Sequence, residues 1–195
     1  MNICVYGAAS KDIDEKYTKA GHELGFKLAK RGHSLVFGGG DTGMMGASAR
    51  GVHDAGGHIT GIAPSFFDVD GILYRLCDNI IFTETMRQRK QRMEDMSDGF
   101  VVTAGGIGTF EEFFEILTLK QLGKLEKPIA LLNTDGYYNS MLDMLRHTAK
   151  ENFMSEKNLE LFFISEKPDD ILDYLENPTK LDFDIAELRR LKVGR

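Results

Sequence analysis

The chain has no basic excess, no long apolar run and only two cysteines, and each shortage excludes something. Its 195 residues carry 24 Lys and Arg against 30 Asp and Glu, a net charge of −6. Broad nucleic-acid binding through a basic surface is therefore not expected. No apolar stretch approaches the length needed to span a membrane. The N-terminus runs straight into Asn2-Ile3-Cys4-Val5-Tyr6, which reads as a buried strand and not as a signal peptide. Cys4 and Cys77 both sit among apolar neighbours and read as reduced, buried thiols, not as a disulfide. A cytoplasmic location is the matching expectation. His22, His33, His53, His58 and His147 form no metal-like or triad-like pattern, and neither a metal nor a cofactor is expected.

What is present is a regular alternation of strand-like and helix-like segments. Strands are predicted over 2–6, 34–37, 58–63, 79–82, 99–103, 128–132 and 161–164, and helices over 14–31, 43–55, 84–97, 109–122, 137–151 and 168–176. The strands are short and almost continuously apolar, as in a sheet covered on both faces. Strand–helix alternation with short connections predicts a parallel, doubly wound α/β sheet with helices on both faces. One domain over 1–180 accounts for the pattern, followed by a charged tail over 181–195 with a weak helical spacing (Phe183, Ile185, Ala186, Leu188, Leu191). The segment from Pro64 to Asp78 lacks periodicity and carries Phe66, Phe67, Asp68, Asp70 and Arg75. It reads as a surface excursion or as a lid.

Right-handed crossovers put every strand-to-helix turn on one carboxyl edge of such a sheet. Two of those turns are glycine-rich: Gly38 to Gly43 (GGGDTG) and Gly105 to Thr109 (GGIGT). Glycine lets a ligand approach the main chain, and the amides and dipole of the following helix favour an anion. The first turn satisfies G-x-G-x-x-G but follows the second strand, and the next strand ends Gly61-Ile62-Ala63-Pro64 without an acid. That disfavours a dinucleotide, and the lack of GK[ST] disfavours an ATP-type phosphate loop. A phosphate or ribose contact at Gly39 and Gly40 is expected, with a tight packing turn as the alternative. The second turn is followed at once by Glu111 and Glu112. A carboxylate there would repel phosphate unless aimed at another part of the ligand, which suits an enzyme acting near the phosphate and not on it.

Two charged residues fall on apolar helical faces. At 100° per residue Met86, Met93 and Met96 share a stripe that also contains Arg89. An arginine there must meet an anion, a carboxylate or water through an opening. Lys90 could turn towards the same opening. After the second glycine turn, Phe110, Phe113, Phe114 and Leu117 form one apolar stripe, while Ile116 and Leu119 form a second that includes Glu112. A carboxylate withdrawn from water near helix-terminal donors is a candidate catalytic group. The second stripe, continuing to Leu122, is expected to face a partner subunit.

These residues resemble the Lonely Guy family of cytokinin-activating enzymes, which also carries the label lysine decarboxylase. The family signature P-G-G-x-G-T-x-x-E is matched by Ala104 to Glu112, and M-H-x-R-K by Met86 to Lys90. GGG-x-x-G-x-M-G at Gly38 to Gly46, QLGK-x-x-KP at Gln121 to Pro128 and LLN-x-DGYYN at Leu131 to Asn139 add to the likeness. The resemblance implies a Rossmann-like sheet, a homodimer and phosphoribohydrolase activity: a purine nucleoside 5′-monophosphate, AMP or an N6-substituted relative, hydrolysed to free base and ribose 5-phosphate. It makes Glu112 and Arg89 the catalytic pair and gives Gly105, Gly106, Ile107, Gly108 and Thr109 to the phosphate. Met86, Lys90, Phe110, Glu111 and Thr118 become further substrate contacts. Ala104 stands where the family has proline, and Arg87 where it has histidine. The competing readings are a non-catalytic nucleotide sensor on the same fold and a pyridoxal-phosphate lysine decarboxylase. The latter needs a Schiff-base lysine that the strand-end turns do not obviously offer.

Overall fold

Short aliphatic runs make the strands, and in the computed structural model, which describes residues 1–69, 71–181 and 188, all of them pair in parallel. Among the described residues the strands are β1 (Asn2–Tyr6), β2 (Ser34–Phe37), β3 (Ile59–Pro64), β4 (Asn79–Thr83), β5 (Gly99–Val102), β6 (Ile129–Leu132) and β7 (Phe163–Ser165). The helices are α1 (Glu15–Lys30), α2 (Gly43–Asp54), α3 (Met86–Met96), α4 (Ile107–Gln121), α5 (Asn139–Lys150) and α6 (Pro168–Glu176). The strand order is β4-β3-β2-β1-β5-β6-β7. The chain winds outward from β1 to β4, then returns to β5 on the other side of β1. The loops after β1 and β5 therefore diverge, and the crevice between them is where a doubly wound sheet accepts a ligand.

The side-chain period of two sorts the strand residues between two cores. Cys4, Tyr6, Phe100, Val102, Ile129 and Leu131 face α3, α4 and α5, which contribute Met93, Phe113, Ile116 and Leu142. Ile3, Val5, Val101, Ala130 and Leu132 face α1, α2 and α6, which contribute Leu24, Leu28, Val52, Ile171 and Leu175. Each fully buried aliphatic or aromatic side chain is worth about 1.5–3 kcal/mol. This is the expected α/β sheet with helices on both faces.

Local chemistry sets the helix ends. Asp14 caps α1 by accepting from the Lys16 amide at 2.9 Å. A capping box opens α3: the Gln88 amide donates to Thr85 Oγ1 at 3.2 Å, and the Thr85 amide to Gln88 Oε1 at 3.1 Å. Four element starts shift by two residues from expectation. Helix α3 begins at Met86 and not at 84, because Thr85 is its N-cap. Helix α4 begins at Ile107, so Gly108 lies inside its first turn. Helix α5 starts only at Asn139, because Asn133 Oδ1 accepts the Tyr138 amide at 2.7 Å and holds the preceding residues in a separate 3-10 turn, Thr134–Gly136. Leu161 and Phe162 are buried but precede β7, since the 3-10 turn Glu156–Glu160 runs into them. The apolar pattern of the tail falls outside the described residues except for Leu188, which is buried.

The segment after β3 is laid onto the first glycine turn. Leu73 forms an antiparallel bridge with Gly40, Asp41 N–H donates to the Ile72 carbonyl at 2.9 Å, and Tyr74 N–H to the Gly39 carbonyl at 2.8 Å. Arg75 pairs with Asp68 at 3.0 Å across it, while Asp70 lies outside the described residues. Of the two sequence readings, surface excursion or lid, the structure supports a covering strap.

The loop after β1 is pinned from both sides. Met45 N–H donates to the Ala8 carbonyl at 3.2 Å, Thr42 Oγ1 to the Ala9 carbonyl at 2.5 Å, and Ala8 N–H to the Ala104 carbonyl at 3.1 Å. Gly43 makes this possible: its φ is +62°, and a Cβ there would overlap the Ala8 and Ser10 carbonyls. Gly43→Ala is therefore expected to cost about 2 kcal/mol from the left-handed backbone and the displaced loop. Urea unfolding of the variant against the parent measures it; an unchanged midpoint would mean that the loop is not held as described.

Candidate functional site

The crevice at the carboxyl edge is a cavity of about 700 Å³. One wall is the loop after β1, from Gly7 to Lys11; another is the first glycine turn with Thr42 and Met45; a third is the strap, through Phe67, Ile72 and Leu73. The remaining wall joins Met86 and Arg89 of α3 to the start of α4.

At that wall a buried ion pair joins the two helices. Arg89 Nη1 donates to Glu112 Oε1 at 3.0 Å, and their side chains are only 7% and 9% exposed. Arg89 Nε donates to the Ile62 carbonyl at 3.1 Å, which ties the guanidinium to β3. The other amino group, Nη2, rests against Gly38, where a Cβ would overlap it. The first glycine of GGGDTG is thus required by an arginine packed on it. Burial raises the Glu112 carboxyl above the ordinary glutamate range, and the Arg89 charge and hydrogen bond offset part of that rise. Beneath the pair, Tyr6 and Cys4 are buried. Burial pushes both of their acid groups upward, with the Glu112 charge adding to it. They are neutral neighbours.

At the rim, Lys90 bridges Glu111 and Glu115, the latter at 3.0 Å. Burial alone would lower its ammonium, but the two carboxylates outweigh it and hold it above the ordinary lysine value.

The second glycine turn differs from the first in what surrounds it. Gly105 is structural: a Cβ would overlap Thr109, and its carbonyl accepts from Tyr137 Oη at 2.7 Å. Gly106 and Gly108 would meet nothing within 4 Å. No fold contact demands glycine at either; Gly106 is the N-cap, and at Gly108, inside the helix, glycine costs about 0.5–1 kcal/mol relative to alanine. The α4 N-terminus also has no side-chain cap and no acid in its first turn, leaving its first amides without an intrahelical partner. Open glycines beside unpaired amides form a surface to which an anion can come close. The first turn has no such opening at its helix start, because the Ala8–Ser10 backbone packs on Gly43.

Of the residues singled out in the sequence, Gly40, Met86, Arg89, Gly106, Gly108, Thr109, Glu111 and Glu112 line the cavity. The others do not. Gly39 turns its carbonyl to Tyr74 at 2.8 Å. Ile107 is almost fully exposed, Phe110 packs edge-on against Tyr138, and Lys90 is held by its two carboxylates. Thr118 lies exposed further along α4. The second stripe of α4 also differs from expectation: Ile116 is 2% exposed within the chain's own core. The helix turns Glu112, Phe113 and Ile116 inward together and packs Leu119 against the same core, so that of this stripe Leu122 alone faces outward. The sequence reading did not single out Ala8 to Lys11, Thr42, Met45 or Leu73, whereas Phe67 belongs to the segment it read as an excursion or lid. A signal existed for the first of these: Gly7-Ala8-Ala9-Ser10 are small residues directly after a strand, at the edge where such sheets bind.

Fold and site together define a Rossmann-like α/β protein with an ion-paired crevice at the switch point of its sheet. Residues 45–175 match the family described as "Possible lysine decarboxylase", and the chain belongs to that family. Two cytokinin riboside 5′-monophosphate phosphoribohydrolases of Arabidopsis thaliana are each 36% identical over 174 residues, covering 89% of this chain and 81% and 82% of theirs. Among solved structures, the molybdenum cofactor binding protein of Rippkaea orientalis superposes with a TM-score of 0.69 at 23% identity, over 90% of this chain and 94% of its own. The molybdenum cofactor carrier protein of Chlamydomonas reinhardtii gives 0.67 at 23%, over 90% and 95%. At that identity the two structures establish the shared fold.

The open glycines yield a test in which stability and binding move in opposite directions. Gly108→Ala is expected to raise unfolding stability by about 0.5–1 kcal/mol while weakening the binding of ribose 5-phosphate, because the methyl group occupies the approach to the α4 amides. Thermal unfolding and calorimetric titration check the two effects. Stabilisation with unchanged binding would remove the anion from this turn.

Proposed function

We propose that the protein hydrolyses the N-glycosidic bond of a purine nucleoside 5′-monophosphate, AMP or an N6-substituted relative, releasing the base and ribose 5-phosphate. The observation that carries this reading is the buried Arg89–Glu112 pair lining the same cavity as the uncapped, acid-free start of α4. The names of the curated relatives support it. Cleavage builds positive charge on the sugar in an oxocarbenium-like transition state. Glu112 supplies the carboxylate that stabilises this charge and orients or deprotonates water. Arg89 holds that carboxylate ionised and in place, and it can donate to the departing base; its permanent charge makes it a poor proton donor. The phosphate seats at Gly106, Gly108 and Thr109, so that remote binding energy positions the sugar. Incubation with AMP, with adenine and ribose 5-phosphate as the readout, tests the reading directly. No release of free base from either AMP or an N6-substituted AMP would overturn it.

The decarboxylase chemistry named by the family description fits these residues poorly. A Schiff base needs a lysine amine made nucleophilic by desolvation or an adjacent cation. The buried lysine with a lowered pKa, Lys120, is desolvated but donates to the Lys127 carbonyl at 2.7 Å and does not line the cavity. Lys90 is held between carboxylates, and Lys11 is exposed.

A homodimer accompanies the proposed activity, now argued from a different surface. Phe66, Val69, Ile72, Leu76, Phe82 and Met86 are all exposed within one stretch of the chain, an apolar excess that a second subunit would cover. Light scattering should give about twice the chain mass of 21.8 kDa. An active monomer would end this part of the proposal. A cytoplasmic setting is proposed with it, in keeping with two cysteines that are not joined; no helix among the described residues is long and apolar enough to cross a membrane.

Two expectations follow for Glu112. Glu112→Gln keeps size and one hydrogen bond but removes the charge, so hydrolysis should fall by about 100-fold or more while nucleotide still binds. Wild-type turnover by this variant would remove Glu112 from catalysis. The carboxylate form is the active one, and burial raises its pKa. The acid limb of kcat/KM should therefore lie above the ordinary value of 4.5, with activity lost as pH falls through the raised value. Arg89→Gln removes the main group opposing that rise, so the residual activity should show its limb at still higher pH. A limb that stays in place would separate Arg89 from the ionisation of Glu112.

A further inference from the structure

The cations around the cavity are not equally free. The Arg89 charge is already matched by Glu112, and its guanidinium is held by the Ile62 carbonyl and packed on Gly38. Lys90 is bridged between Glu111 and Glu115. The two lining carboxylates, Glu111 and Glu112, are each matched by one of these cations. A phosphate monoester carries about −1.5 to −2 charges at neutral pH, and the chain itself is net negative at −6. Helix amides alone are a modest counterweight to a dianion. A further positive charge is needed at the wall, and the structure holds one.

Resting on the phosphoribohydrolase reading, we propose that Lys11 is the phosphate-binding cation of this site. It lines the cavity together with Gly106, Gly108 and Thr109. Among the described residues it is the one lysine or arginine of the lining without an ion pair. Its backbone and its side chain are in contrasting states. The preceding loop is fixed by the hydrogen bonds to Ala8 and Ala9 and by the fit of Gly43 against Ala8 and Ser10. The residue therefore leaves a rigid base at the switch point, while its ammonium group is exposed and uncommitted. That combination lowers the ordering cost of binding without a competing internal partner. Topology supplies the proximity: β1 pairs with β5, so the loop carrying Lys11 and the turn carrying Gly106 leave adjacent strands, joined by the Ala8–Ala104 hydrogen bond.

The test compares wild type, Lys11→Ala, Lys11→Glu and Lys11→Arg with AMP, adenosine and ribose 5-phosphate. A charge-assisted hydrogen bond to phosphate corresponds to about tenfold in affinity at an exposed group. Lys11→Ala should raise the KM for AMP and the Kd for ribose 5-phosphate by about that factor, with kcat changed much less. Lys11→Glu should weaken both further, and Lys11→Arg should restore most of the loss. Any turnover of adenosine, which lacks the phosphate, should be the same in all four proteins. Thermal unfolding should be unchanged, since the side chain is exposed. If wild type hydrolyses AMP and Lys11→Ala keeps its KM and Kd, the assignment of Lys11 is wrong and the activity stands. If wild type releases no free base from AMP or from an N6-substituted AMP, the activity fails; ribose 5-phosphate titration still decides whether Lys11 recognises phosphate.

Discussion

The site is organised by one constraint: an arginine and a glutamate removed from water must be paired with each other. An uncompensated charge in such a place costs several kcal/mol, so the surroundings of Arg89 are tightly specified. Its three nitrogens reach Glu112 on α4, the Ile62 carbonyl on β3 and the backbone at Gly38 after β2. One side chain thereby fixes the separation of α3 from α4 and the approach of the first glycine turn to both. Disturbing any of these three contacts leaves a buried charge with too few partners. This explains why motifs distant in sequence occur together in a single wall of the cavity.

The glycines separate into two physical groups on the same basis. Gly38, Gly43 and Gly105 are demanded from within: a Cβ would strike Arg89, the Ala8 carbonyl and Thr109 respectively. Gly106 and Gly108 are demanded by nothing inside the chain, since the space beside them is empty. Gly108 in particular, which the fold does not need and which weakens the first turn of α4, points outward to whatever occupies that space. The pattern GGIGT contains both kinds, and spacing alone does not distinguish them.

Much of the sheet was legible because its signals are local and redundant. Continuous apolar runs such as Ile129–Leu132 and Ser34–Phe37 mark strands covered on both faces, and the structure places them so. Arg89 on a methionine stripe announced a buried charge in need of a partner, and Glu112 among apolar neighbours announced the opposite charge. That they meet each other depends on the crossover from β4 to β5, which no local pattern encodes. The same limit accounts for the misread face of α4. A helical wheel gives angles but not the direction of the core, and the buried side turned out to contain Glu112, Phe113 and Ile116. The strap was legible only as an aperiodic excursion or lid, for a further reason. Its order comes from backbone hydrogen bonds to the first glycine turn, which leave no side-chain periodicity.

Placing a carboxylate and a phosphate in one cavity sets an electrostatic problem that the proposed reaction has to solve. Two unit charges about 8 Å apart at an effective dielectric of about 20 interact by about 2 kcal/mol. A dianionic ligand would thus add to the burial that already favours protonated Glu112. A protonated acid would neither stabilise an oxocarbenium ion nor activate water. Arg89, in direct contact, opposes both effects at a shorter distance than the phosphate can reach, and its guanidinium keeps its charge at any working pH. A lysine in the same place would be a weaker safeguard, because burial can strip its proton. The ion pair is therefore more than a way to bury two charges. It is the condition under which a carboxylate can remain ionised beside the anion it is proposed to act near.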